Sequence, residues 1–298
     1  TKEGIAKVVL PTDDINKLRG FAETNNVDLS GIEIINIDLE ILDAELINKF
    51  VEARSKKGMS AEDAQKLLTN PLYFAMMYLK NGKCDACVCG AVADTADVLR
   101  AGIYVIGAAP GLKLISSYFL MIPPPNHPVA KTPVLFADCG VNPDPDAMGL
   151  RDIGISTVAS FNKLFPGEIA KVALLSFSTK GSAKAKNLEK IIEATSILQK
   201  HFKPREDVFV DGEMQFDAAV VKEIGERKAP GSPVAGQANI LIFPDLNSGN
   251  IGYKIAQRYG GFCALGPLIQ GLDLPVSDLS RGCDADDIYL VSAIMLLK

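Results

Sequence analysis

The chain has 298 residues, 48% of them hydrophobic and 22% charged, with a formal net charge of −5. That composition suits a compact α/β protein of two domains and argues against nucleic acid or an anionic membrane as a partner, because an acidic surface repels both. No apolar run reaches the ~18 residues that span a bilayer, and no signal-peptide pattern opens the sequence, so a cytoplasmic protein is expected.

Apolar strand-like runs alternate with helical patterns along the chain. Lys7–Leu10 leads into a helix over Asp14–Asn25, and Glu33–Ile37 precedes a helix near Leu42–Lys57. A further helix is predicted over Ala61–Leu68, and Asn70-Pro71 caps another that reaches Leu79. Ala86–Val92 reads as a strand before a helix over Ala93–Arg100. The stretch Ile122-Pro-Pro-Pro-Asn-His-Pro128 is rigid and reads as a hairpin-like excursion. This βα rhythm predicts mostly parallel sheets with helices on both faces.

Two later strands open onto turns that suit a ligand site. Val172-Ala-Leu-Leu is followed by Ser176-Phe-Ser-Thr-Lys-Gly-Ser182, which gathers hydroxyls, Lys180 and a glycine. Ala238–Phe243 is followed by Pro244-Asp-Leu-Asn-Ser-Gly-Asn250, a turn containing Asn247, and then by a helix with Lys254. Glycine there lets backbone N–H groups approach a ligand. Neither turn is a Walker A loop or a GxGxxG fingerprint, which argues against a nucleoside triphosphate or NAD. Lys180 and Lys254 can reach a phosphate or serve as surface groups.

The end of the chain carries the densest chemistry. In Pro275-Val-Ser-Asp-Leu-Ser-Arg-Gly-Cys-Asp-Ala-Asp-Asp287, Ser280 and Arg281 stand just before a helix predicted over Ala285–Leu297. The Arg presents a planar fork for a phosphate or carboxylate, and Asp287 in the first helical turn supplies a base beside it. The same residues would also make a capped helix start with a surface salt bridge.

Taken together, these segments resemble the phosphate acetyltransferase (phosphotransacetylase) family. The matching words are KKGMSAEDAQKLL at 56–68, GAVADTADVLRAG at 90–102, LFADCGVNPDPD at 135–146, LLSFSTKGSAK at 174–184, VDGEMQFDAAV at 210–220, KAPGSPVAGQANILIFPDLNSGNIGYK at 228–254, ALGPLIQGL at 264–272 and LSRGCDADDI at 279–288. The resemblance runs in order over nearly the whole chain, with two departures. Residues 1–10 look like the end of the family's first helix and its second strand, so that one βα unit is not represented. The family's usual SGAVHTTADT is replaced by Cys89-Gly-Ala-Val-Ala-Asp-Thr-Ala-Asp97, with Ala93 and Asp94 in place of a His-Thr pair.

The resemblance implies two three-layer α/β/α domains with an interdomain cleft, in the layout of isocitrate and isopropylmalate dehydrogenases. Residues 1–112 and 274–298 would form the first domain and residues 113–273 the second, through which related enzymes pair as homodimers. It implies reversible transfer of an acetyl group between acetyl phosphate and coenzyme A, by direct attack of the thiolate. Asp287 would take the thiol proton. Arg281 would hold the phosphate and offset charge on the carbonyl oxygen, and Ser280 would donate a hydrogen bond to that oxygen. Arg54 and Arg100 look like the residues that meet coenzyme A phosphates, although each could be a solvated helix-end arginine. Coenzyme A is then a co-substrate, and neither a cofactor nor a metal is expected.

Three alternatives stand beside that reading. A phosphate butyryltransferase-type enzyme would share the fold and act on a larger acyl group. A decarboxylating NAD-dependent dehydrogenase would need an aspartate cluster for a metal, which is not evident. A non-catalytic module binding coenzyme A or an acyl phosphate would suit the changed Ala93-Asp94 but not the intact Ser280, Arg281 and Asp287. Cys84-x-x-Cys87-x-Cys89 lacks the second CxxC or His pair of a zinc site and reads as structural, with reduced thiols. Cys139 has no histidine near it and reads as a core thiol.

Overall fold

A computed structural model describes residues 4–41, 44–54 and 58–297. The chain divides into two compact units. The first takes the described residues up to Gly107 together with Leu272–Ser277 and Arg281–Leu296. The second takes Ala108–Gly271 and Asp278–Ser280.

The first unit opens with β1 (Val8–Thr12), α1 (Ile15–Thr24) and β2 (Ile32–Asn36), the two strands parallel and in register from Val8 opposite Ile32 to Thr12 opposite Asn36. The short helix α2 (Ile37–Glu40) follows, then α3 (Ala44–Arg54), α4 (Ala61–Leu68) and α5 (Pro71–Lys80). Their starts are written in local sequence. Asp14 Oδ1 accepts the Lys17 N–H at 2.9 Å, Ser60 Oγ that of Asp63 at 3.0 Å, and Asn70 Oδ1 that of Leu72 at 2.9 Å. Pro71 falls in the first turn of α5, where a missing N–H costs nothing. Phe50, Leu68, Phe74, Met76 and Met77 fill the core between these helices.

Next come β3 (Cys87–Cys89) and α6 (Thr95–Val105). The strand expected over Ala86–Val92 pairs over three residues only, because Gly90 adopts φ +102 and turns the chain away. The helix expected to stop at Arg100 runs to Val105, which places Arg100 in its middle. Among the described residues the first unit holds two separate two-stranded pairings, β1 with β2 and β3 with a strand near the end of the chain.

The second unit is built on β4 (Ser116–Ile122), β5 (Val134–Ala137), α7 (Ala147–Leu164), β6 (Ala170–Leu175), α8 (Lys186–Phe202), β7 (Val208–Met214), α9 (Phe216–Val220), α10 (Lys222–Lys228), β8 (Ile240–Ile242), α11 (Leu246–Arg258) and β9 (Cys263–Gln270). One six-stranded sheet has the order β7-β6-β8-β5-β4-β9. The four strands β7, β6, β8 and β5 are parallel, and β4 runs antiparallel to β5 and β9. Met121 faces Val134 across the β4–β5 pair, so the proline-rich segment is the loop of a hairpin.

Both faces of this sheet are covered, as continuous apolar strands require. On β6, Ala173 and Leu175 join a cluster with Phe136, Leu241, Phe243 and Val234. On the opposite face Gly212 is pressed between α8 and β6. A Cβ there would stand 2.7 Å from Thr195 Oγ1 and 2.9 Å from Leu174 Cβ, so glycine alone fits. Truncating a residue such as Phe136 to alanine in this core would cost about 3–5 kcal/mol. In the segment Ala229–Gly236, Ala229 and Val234 belong to the unit's own core, being 3% and 0% exposed.

Asp138, at the end of β5, is 2% exposed and gathers the loop that follows. It accepts from Ser117 Oγ at 2.7 Å, from the N–H groups of Gly140 at 3.0 Å and Asn142 at 2.9 Å, and from Asn142 Nδ2 at 2.6 Å. A buried carboxylate is tolerated because donors surround it. The chain closes with β10 (Val276–Asp278), which pairs with β3, and α12 (Ala285–Met295).

Candidate active site

The start of α12 is fixed by two aspartates. The Asp287 N–H donates to Asp284 Oδ1 at 2.9 Å, and the Asp284 N–H donates back to Asp287 Oδ2 at 3.3 Å. This capping box holds the Asp287 carboxylate in the first turn, at the positive end of the helix. Asp287 is half-buried, whereas its neighbour Asp286 is exposed. Position, not residue type, separates the two.

Arg281 precedes the box and is exposed. Its Nη1 lies 2.9 Å from Asp94 Oδ1. Asp94 is the N-cap residue of α6, yet its side chain accepts no capping hydrogen bond from that helix. Both features of the plainer reading, a capped helix start and a surface ion pair, are therefore present beside the catalytic candidates. Ser280 is exposed.

A second feature of the first unit gathers the other two arginines. Ala96, Leu99, Arg100 and Ile103 of α6, with Tyr104 and the last residue of α3, Arg54, line a cleft of about 470 Å³. Arg54 Cζ sits 3.6 Å from the centroid of the Tyr104 ring, and Arg54 Nε is buried without a hydrogen-bond partner among the described residues. Phe50 and Tyr73 meet Tyr104 edge-on, at 6.1 and 5.8 Å between centroids. An aromatic face thus supports Arg54. Arg100 instead pairs with Asp97 one turn earlier. An apolar floor with two guanidinium groups can take a flat apolar group beside phosphate. Sequence reasoning missed Tyr104, although its place four residues after Arg100 puts both on one helix face. Lys56 and Lys57, beside Arg54 in sequence, lie outside the described residues.

The second-unit candidates are less converged. The Lys180 ammonium is paired with the buried Asp211 and also reaches the Gly212 carbonyl at 3.3 Å, so its charge is committed to β7. Asn247 is exposed in the first turn of α11, whose cap is made by Asp245 Oδ1 accepting the Ser248 N–H at 2.8 Å. Lys254 is exposed, with Nζ 5.8 Å from the Tyr253 ring, which itself stacks on Phe119. A cleft of about 410 Å³ opens at the carboxyl ends of β6 and β8, lined by Ser176, Phe177, Lys190, Phe216 and Ser248 among others. None of Lys180, Asn247 or Lys254 lines it.

The thiols follow burial. Cys139 is fully buried in the core, and burial together with nearby Asp138 pushes its pKa well above the ordinary range. Cys84 is pushed up to about 11, chiefly by burial. Among the described residues no group of three or more His, Cys, Asp and Glu could hold a metal ion.

Comparison with known proteins agrees with these motifs. The phosphate acetyl/butaryl transferase family pattern matches residues 1–296. The chain is 46% identical over 297 residues to a phosphate acetyltransferase of Clostridium acetobutylicum, covering 100% of this chain and 88% of that protein. Among solved structures it resembles a phosphotransacetylase from Streptococcus pyogenes (TM-score 0.89, 41% identity, 99% of this chain and 86% of that one). It also resembles the EutD phosphotransacetylase from Staphylococcus aureus (TM-score 0.87, 42% identity, 96% of this chain and 84% of that one). On sequence, fold and motif alike, the chain belongs to the phosphate acetyl/butaryl transferase family.

Proposed function

We propose that the chain transfers an acetyl group reversibly between acetyl phosphate and coenzyme A, and that Asp287, Arg281 and Ser280 carry the step. The observation that supports these residues most is the start of α12. A carboxylate is fixed there by a capping box, and a guanidinium whose partner is exposed stands a few residues before it. Asp287 takes the proton from the coenzyme A thiol as the thiolate attacks the acetyl carbonyl. Arg281 binds the phosphate and offsets charge on the carbonyl oxygen, to which the Ser280 hydroxyl donates. The carbonyl carbon–phosphate oxygen bond then breaks, leaving thioester and inorganic phosphate. Coenzyme A is a co-substrate, and because an acyl phosphate is already activated the step calls on no resident cofactor.

Arg54 and Arg100, over the apolar floor of their cleft, are assigned to the phosphates of coenzyme A. Lys180, Asn247 and Lys254 remain secondary contacts in this reading, with Lys180 the weakest because Asp211 already neutralises it. The names of the relatives favour acetyl over a larger acyl group. The direct test is thiolysis of acetyl phosphate by the purified chain, followed as thioester formation. Absence of thioester with both substrates present would reject the reading.

A homodimer formed through the second unit and a cytoplasmic location complete the proposal. Ile251, Ile255 and Tyr259 recur every four residues on and just beyond α11 and are 58%, 54% and 92% exposed, a stripe that a symmetric copy can cover. Light scattering should give about twice the 31.9 kDa chain mass. A concentration-independent monomer with full turnover would refute pairing. The six free cysteines support a reducing compartment.

A further inference from the structure

Asp94 stands where the family pattern carries a His-Thr pair, and its behaviour is unusual for an aspartate at a helix start. An N-cap aspartate ordinarily accepts an N–H from its own first turn. Asp94 makes no such bond, and its Oδ1 is spent on Arg281 Nη1 at 2.9 Å. That is the guanidinium assigned above to the substrate phosphate, and a carboxylate oxygen on a guanidinium reproduces the contact that a phosphate oxygen would make.

We infer that Asp94 tunes the affinity of the site for its anionic substrate: its carboxylate occupies the Arg281 fork in the free protein as an internal substitute for the substrate anion, and the phosphate must displace it. The inference rests on the assignment of Arg281 to the phosphate. The cost of opening the pair is the same whichever anion displaces it, so Asp94 lowers the affinity for acetyl phosphate and for competing anions alike. A phosphate dianion has twice the charge of Asp94 and more acceptor oxygens, which favours the exchange. Once displaced, its carboxylate can return to the first turn of α6, which lacks a side-chain cap while the pair is formed. The side chains of Arg281 and Asp94 are 71% and 61% exposed, which keeps the competition modest.

The experiment compares Asp94→Asn with the parent enzyme as the full chain. Asparagine keeps the size and the capping preference and removes the charge. The expected result is a KM for acetyl phosphate lowered about two- to fivefold at low salt, with kcat held. Competitive inhibition by acetate should become tighter, and the difference between variant and parent should shrink as sodium chloride is added. Asp94→Glu, which keeps the charge, should retain the parent KM, and Asp94→Ser serves as the neutral capping variant if the asparagine form is poorly folded. An unchanged or raised KM for acetyl phosphate in the neutral variants overturns the inference. Arg281→Ala separates this failure from failure of the underlying assignment. If Arg281→Ala weakens turnover while Asp94→Asn changes nothing, only the role of Asp94 falls. If Arg281→Ala leaves kcat and KM at parent values, both fall. In the Arg281→Ala background Asp94→Asn should have no further effect on KM.

Discussion

The Arg281 guanidinium meets the Asp94 carboxylate at 2.9 Å, joining the segment before α12 to the N-cap residue of α6. The pair is exposed, so removing it costs little stability, whereas removing a cation aimed at developing charge costs turnover. Arg281→Ala is therefore expected to lower kcat by ~10²–10³ while shifting the unfolding free energy by less than about 1 kcal/mol. Steady-state kinetics and a denaturant melt on one preparation check both halves.

Asp287 and Asp286 are adjacent, yet only Asp287 belongs to the capping box. Asp287→Asn keeps an oxygen that can accept the Asp284 N–H, so the helix start survives while the base is lost. A drop of ~10²–10⁴ in kcat is expected, with modest change in either KM. Asp286→Asn, measured alongside, should keep the parent's activity. Equal activity in the Asp287 variant would remove that residue from the mechanism.

The Arg54–Tyr104 stack predicts a split between KM and kcat. Arg54→Ala should raise KM for coenzyme A with kcat nearly unchanged, and one of Arg54→Ala and Arg100→Ala should also lose the preference for coenzyme A over its 3′-dephospho form. Tyr104→Leu removes the face on which Arg54 rests and should raise the same KM, by about two- to fivefold for an interaction of roughly 0.5–1 kcal/mol. Tyr104→Phe keeps the face and should behave as the parent. If neither arginine variant alters coenzyme A affinity, the cleft is not its site.

The raised pKa of Cys84 sets a pH dependence that alkylation can read. Burial disfavours the thiolate, so below about 11 the group is held as the unreactive thiol. At pH 8 Cys84 should react with iodoacetamide more slowly than a free thiol, and its rate should climb as pH approaches 11. The buried Cys139 should stay unlabelled until the protein unfolds. Unfolding is the control, since it releases both groups to ordinary thiol behaviour. Rapid labelling of Cys139 in the native state would contradict its place in the core.

Asp138 offers a stability test away from the candidate site. Alanine there would leave the donors of Ser117, Gly140 and Asn142 without their acceptor in a buried setting. A loss of about 3 kcal/mol or more is expected, read as a lower denaturant midpoint at unchanged slope.

The sequence by itself determined where three helices of the first unit begin, because a cap is a contact between residues two or three apart. Asp14, Ser60 and Asn70 each bind an N–H of their own first turn, and α4 has the bounds its periodicity predicts. It also determined the sheet's parallel character and the family, through apolar runs and long words that need no partner to be read. Tertiary structure decided the rest. The strand expected over Ala86–Val92 keeps only three paired residues, because strand length depends on what lies alongside and on the turn at Gly90. Lys180 reads as a candidate phosphate contact in sequence, and only folding shows that it also pairs with Asp211. Arg54 could not be separated from a solvated helix end until α6 carried Tyr104 beneath it. Asp94 could be noticed in sequence as a departure, but its partner could not. Charge pairing between distant residues is fixed by how elements pack, and no local pattern records it.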